Sequence, residues 1–122
     1  MKKPLAIGDI LKTRKDVFIE HKGVYLGPNA VLTNTPEKGE HLTTYDEFAG
    51  LREVIVARTG ANSASVIRNS QKILSRPKRY HPALRNCEHT SYEAAYGKAK
   101  SPSLFAALFL SGIGLALASF RR

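Results

Sequence analysis

Cys87 is the single cysteine in a chain of 122 residues. It has no partner for an intramolecular disulfide, so any special role it has is chemical, as nucleophile or metal ligand. It stands in Asn86-Cys87-Glu88-His89. Asn86 is a favoured helix N-cap, and the stretch after it reads as a helix closed by Gly97 at the C′ position. The sulfur then falls in the first turn, where unpaired amide N–H groups and the helix dipole are expected to favour thiolate over thiol. Read alone, a solitary cysteine is more often an inert buried side chain.

A cysteine nucleophile needs a base, usually histidine, brought close in space. The chain offers His21, His41, His81 and His89. His89 lies two residues along the helix, about 200° of rotation away and nearly on the opposite face, which predicts a structural or capping role. His81 precedes Pro82 in a basic loop and has no orienting feature. His21 sits mid-strand in Glu20-His21-Lys22-Gly23-Val24-Tyr25-Leu26-Gly27, where Gly23 permits close approach by a neighbour and a strand holds an imidazole more accurately than a loop. Spacing alone fits an ordinary polar side chain on an exposed face somewhat better. One cysteine and scattered histidines show no metal-ligand spacing, and neither a metal nor another cofactor is expected.

The elements that must position these groups change character along the chain. The first half reads as short strands: Ile10 to Arg14, then Val17 to Leu26. Gly27-Pro28-Asn29 turns that run into Ala30 to Thr33 as a hairpin. Thr43 to Phe48 carries a Thr followed three residues later by Glu, the pattern of a capped helical turn. Val54 to Ala57 is β-branched and ends near Gly60. Asn62 to Leu74 has helix-compatible apolar spacing and stops before Pro77. Strands followed by helices predict an α+β fold, a small antiparallel β-sheet packed against helices.

The formal charge is +9, and it is unevenly placed. Arg58, Arg68, Lys72, Arg76, Lys78, Arg79 and Arg85 lie between Glu53 and Glu88 with no acid among them. The segment 68–85 is therefore expected to attract phosphate, on anionic lipid head groups or nucleic acid, unless it is simply a solvated face. Aromatic residues are not interleaved with these cations, so nucleic acid is the weaker reading. Met1-Lys2-Lys3 is basic, but Pro4 to Ile7 is too short for the hydrophobic region of a secretory signal and Asp9 ends it, and a single cysteine suits a reducing cytoplasmic compartment. Residues 103–120 have no charged side chain and are followed by Arg121-Arg122. As a helix they would reach about 27 Å, slightly short of the roughly 30 Å hydrocarbon core. The predicted organisation is a domain over 1–100 and a membrane-anchoring hydrophobic helix over 101–122.

Gly8-Asp9-Ile10-Leu11, His21 to Gly27, the hairpin return Ala30 to Pro36, and Asn86-Cys87-Glu88-His89 with its helix span roughly residues 8–100. His-x-Gly-Val-Tyr-Leu-Gly followed by Asn-Cys-Glu-His is a specific combination, although either half alone is weak. On these residues the chain resembles the lecithin:retinol acyltransferase-like family, in the permuted branch of the NlpC-type papain-like superfamily. It is also similar to the phospholipid-acting H-Ras-like suppressor group in carrying a hydrophobic tail. The resemblance implies a permuted papain-like fold, Cys87 as nucleophile and His21 as general base. It implies a third polar group, often a second histidine, on the strand after the hairpin; that position is Thr33 here. A threonine hydroxyl can accept a hydrogen bond from His21, expected at Nδ1–H, but supplies no charge to an imidazolium. Asn34 would point to the other face of a regular strand.

The implied activity is a membrane-associated thiol acyltransferase or phospholipase A-type hydrolase acting on glycerophospholipid esters through a thioester on Cys87. An amidase or peptidase of the same superfamily uses the same pair. A non-catalytic binding or membrane-remodelling module is the alternative that the missing second histidine favours.

Overall fold

The computed structural model describes residues 4–14 and 20–99. The apolar stretch 103–120 and the first part of the run predicted from Val17 lie outside the described residues. The chain is α+β: β1 (Ile10–Arg14), β2 (Glu20–Gly27), β3 (Ala30–Thr35), β4 (Gly39–Thr43), α1 (Tyr45–Ala49), β5 (Ile55–Ala57), α2 (Ser63–Ser75) and α3 (Cys87–Tyr96). The five strands form one antiparallel sheet in the order β4-β3-β2-β1-β5. Among the described residues no helix is long and apolar enough to cross a membrane.

Local chemistry sets the boundaries. Pro28 and Asn29 make the β2–β3 turn, and Gly27 pairs with Ala30 across it. Thr44 caps α1 by accepting from the Glu47 amide at 3.1 Å, and Asn62 caps α2 through Ser65. The strand β4 has no place in the sequence reading. Its Gly39-Glu40-His41-Leu42-Thr43 run is too polar to announce a strand, and pairing with β3 creates it.

Alternation along the strands separates two apolar layers. Ile10, Val24 and Leu32 face α2 and α3, packing with Val66, Ile73, Ala94 and Ala95. Leu11 and Val31 face the other way, onto Phe48 of α1. Gly23 is required at the crossing of β2 with that second layer. A Cβ there would lie 2.7 Å from Val31 Cγ1 and 3.0 Å from Phe48 Cε1.

A buried ionic cluster ties α3 to the far edge of the sheet. Glu40 of β4 has a fully buried side chain and pairs with Arg85 Nη2 at 2.6 Å. It also accepts from Arg85 Nε at 2.8 Å, from Thr90 Oγ1 at 2.8 Å and from the Lys78 amide at 2.7 Å. Arg85 reaches Glu93 with both terminal nitrogens, at 3.2 and 3.0 Å. Satisfied on every side, this cluster fixes the segment that leads into Cys87. Arg85 belongs to the basic block only in sequence; in the fold it is an internal cation, whereas Arg68, Lys72, Arg76, Lys78 and Arg79 are exposed.

Candidate active site

The β2–β3 ladder runs from the turn only as far as Gly23 opposite Thr33, although β2 begins at Glu20 and β3 continues to Thr35. Beyond that pair the two strands part, and Lys22 bonds elsewhere. Its amide donates to Cys87 Sγ at 3.4 Å, and its carbonyl accepts from Thr33 Oγ1 at 2.7 Å. The amide nitrogen of Lys22 follows His21 directly. Adding the roughly 2.4 Å step that backbone geometry fixes between that nitrogen and the preceding Cα puts the sulfur within about 6 Å of His21 Cα.

His21 and Thr33 meet directly, with Nε2 to Oγ1 at 3.2 Å. Thr33 spends its only proton on the Lys22 carbonyl, so its oxygen accepts here and His21 Nε2 carries the hydrogen. This corrects the expectation of an Nδ1–H contact: Nδ1 is the basic nitrogen of this tautomer. Phe48 stacks on the imidazole, ring centroids 5.0 Å apart at 27°. Asn34 takes no part in orienting His21. The β3–β4 register is regular around it, and its amide donates to the Arg85 carbonyl at 3.0 Å and to Thr90 Oγ1 at 3.2 Å, on the α3 side.

At the start of α3, Asn86 Oδ1 accepts from the amides of Glu88 at 2.9 Å and His89 at 3.1 Å. His89 Nδ1 returns the contact by accepting from the Asn86 amide at 3.1 Å, which completes a capping box. His89 is thus a cap of this helix. Burial and then the nearby Arg85 hold its pKa below the ordinary histidine value, against a smaller opposing effect of Glu88.

The thiol departs from the sequence expectation. Burial pushes the Cys87 pKa up, with Glu88 adding to the rise, and the Lys22 amide, the Lys22 ammonium and the cysteine's own N–H oppose it without prevailing. The physical reason is local. Asn86 already occupies the Glu88 and His89 amides that were expected to favour a thiolate, and the half-buried sulfur lies beside a carboxylate. Lys22 Nζ pairs with that carboxylate and lies 5.6 Å from the Tyr92 ring centroid. A protonated thiol at rest needs a proton acceptor before it can act as a nucleophile.

Tyr80, absent from the sequence reading, and His41, given no role there, belong to this neighbourhood. Tyr80 has its pKa raised by burial and by the charge of Cys87, so it lies in the electrostatic field of the sulfur. His41, opposite Thr33 in the β3–β4 register, lines a groove with His21 and Thr33. Read as a strand, residues 39–43 place His41 on the face of the site, but their polarity hides the strand. Among the described residues no group of three or more His, Cys, Asp or Glu side chains is gathered as a metal would need. Neither the protein-family models nor the curated proteins compared with this chain gives a match.

Proposed function

We propose that the chain is a membrane-associated thiol acyltransferase or phospholipase A-type hydrolase acting on glycerophospholipid acyl esters, with Cys87 as nucleophile, His21 as general base and Thr33 as its orienting partner. One observation carries the reading: the parting of β2 and β3 at Lys22, with the sulfur on its amide and the Thr33–His21 pair at its carbonyl. The resemblance to the acyltransferase family and the uncharged stretch 103–120 supply the lipid substrate class. Leu84, 74% exposed three residues ahead of Cys87, is an apolar contact for an acyl chain.

In the first step His21 Nδ1 takes the Cys87 proton as the sulfur attacks the ester carbonyl. The amide of Cys87 is the helix-terminal donor for the resulting oxyanion, since Asn86 occupies those of Glu88 and His89. Collapse breaks the C–O bond, and His21 returns its proton to the departing lysolipid alkoxide, leaving a thioester. Water or an acceptor hydroxyl or amine then attacks, again losing its proton to His21.

The test is intact-mass measurement of the purified chain after incubation with mixed-lipid vesicles, beside Cys87→Ala. An acyl-sized mass gain in the parent alone, with lysolipid released, is the expected result. No adduct and no lysolipid or fatty acid would favour the non-catalytic module, for which the raised thiol pKa and the uncharged Thr33 are the supporting observations.

A further inference from the structure

Nucleophile and base reach the β2–β3 gap from opposite faces of the sheet. Cys87 arrives with α3, on the layer of Val24 and Leu32. His21 lies on the other face, stacked on Phe48. On that face a groove of about 330 Å³ is lined by His21, Thr33, His41, Glu47, Phe48 and Arg52 among others. The groove has room for one small polar molecule. Its lining sets hydroxyls, imidazoles and charged groups around the ring of Phe48.

The second half of a thioester reaction needs such a place. The acceptor must approach from the side of the base, because the base removes its proton as the new bond forms. His41 is equipped to hold it. Its Nδ1–H donates to the Gly39 carbonyl at 2.7 Å, which leaves Nε2 as the accepting nitrogen. Strand pairing sets it opposite Thr33, where facing Cβ atoms are about 5 Å apart, one strand further from His21.

We infer that this groove is the acceptor site of the Cys87 acyl-enzyme, and that His41 Nε2 accepts a hydrogen bond from the hydroxyl or amine of a small polar acceptor and aims it at the thioester. This rests on the thioester reading above. The acceptor X–H is held by His41 and loses its proton to His21 Nδ1. The C–X bond forms as C–S breaks, and the proton passes from His21 to the departing sulfur. Nothing is oxidised or reduced.

The experiment uses the full chain, acylated with 4-nitrophenyl octanoate, with glycerol or ethanolamine as acceptor and water as competitor. The burst of nitrophenol reads acylation, and the ratio of octanoyl ester or amide to free octanoate reads the acceptor site. His41→Ala is expected to lower that ratio at least fivefold while the burst rate stays within twofold, and His41→Gln, which retains a side-chain acceptor, is expected to restore part of it. A ratio indifferent to His41→Ala overturns the inference and leaves the function standing. A burst that falls in step with the ratio also overturns it, by making His41 a structural residue. A parent chain that forms no thioester overturns the function and the acceptor site with it.

Discussion

Removing the Thr33 hydroxyl tests how the base is oriented. Thr33→Val keeps the branched shape and deletes the oxygen that accepts from His21 Nε2 at 3.2 Å and donates to the Lys22 carbonyl at 2.7 Å. Thr33 is 1% exposed, so water does not replace it. A neutral hydrogen bond of this kind is worth about 1 kcal/mol net, and one to a charged partner about 1.5–3 kcal/mol. The imidazole becomes an imidazolium as the thiol is deprotonated, so the contact strengthens by roughly 1 kcal/mol on the way to the transition state. Acylation by a 4-nitrophenyl ester, followed as a stopped-flow burst at pH 7, should slow by about fivefold to tenfold. Thr33→Ser retains the oxygen and should stay near the parent. Stability should fall by about 1–2 kcal/mol in Thr33→Val, since the Lys22 carbonyl loses its donor. A burst rate within twofold of the parent would refute the orienting role. A loss beyond a thousandfold would refute it too, because one hydrogen bond, even to an imidazolium, cannot supply that much.

Glu40→Gln leaves Arg85 buried with less compensation and should cost about 3–5 kcal/mol in urea unfolding, with Glu40→Gln/Arg85→Met less damaging than the single change. Gly23→Ala should cost about 1–3 kcal/mol and displace Phe48 from His21, read by calorimetry and by the imidazole resonances. The Cys87 pKa is higher folded than unfolded, so the folded chain keeps its thiol proton longer. Its stabilising contribution is complete below about pH 9, the free-thiol value, and is lost as pH rises through the folded value. Unfolding free energy should therefore slope downward above that pH in the parent and less so in Cys87→Ala. His89 and Glu93 behave oppositely. Burial and Arg85 lower the first; burial raises the second but the Arg85 contact outweighs it. The His89 contribution should therefore be lost as pH falls below about 6.5, and that of Glu93 as pH falls below about 4.5.

Much of the frame was legible because it rests on local chemistry. Asn86 and Gly97 bound α3, Asn62 caps α2, and Pro28-Asn29 turns the hairpin, each through contacts within a few residues. His89 could be set aside by helix geometry alone, and its capping contact is equally local. What stayed hidden depends on distant segments. The polar β4 exists because β3 is beside it, and Arg85 is buried because Glu40 and Glu93 await it. The thiol pKa went the other way for the same reason: a first-turn position suggests a thiolate, but burial and the competing Asn86 side chain are tertiary and rotameric facts. The tautomer of His21 follows from where Thr33 sends its proton, which no spacing in the sequence encodes.

The parting of β2 and β3 also makes the Lys22 amide a built-in spectroscopic reporter. Its hydrogen bond ends on the sulfur rather than on a neighbouring strand, so its proton and nitrogen chemical shifts follow the electron density of that atom. A thiolate, a thiol and an S-acyl sulfur are acceptors of decreasing strength, and each gives that one cross-peak a different position. Titration and covalent modification of the thiol can thus be watched at a backbone site on the strand, without a label on the cysteine.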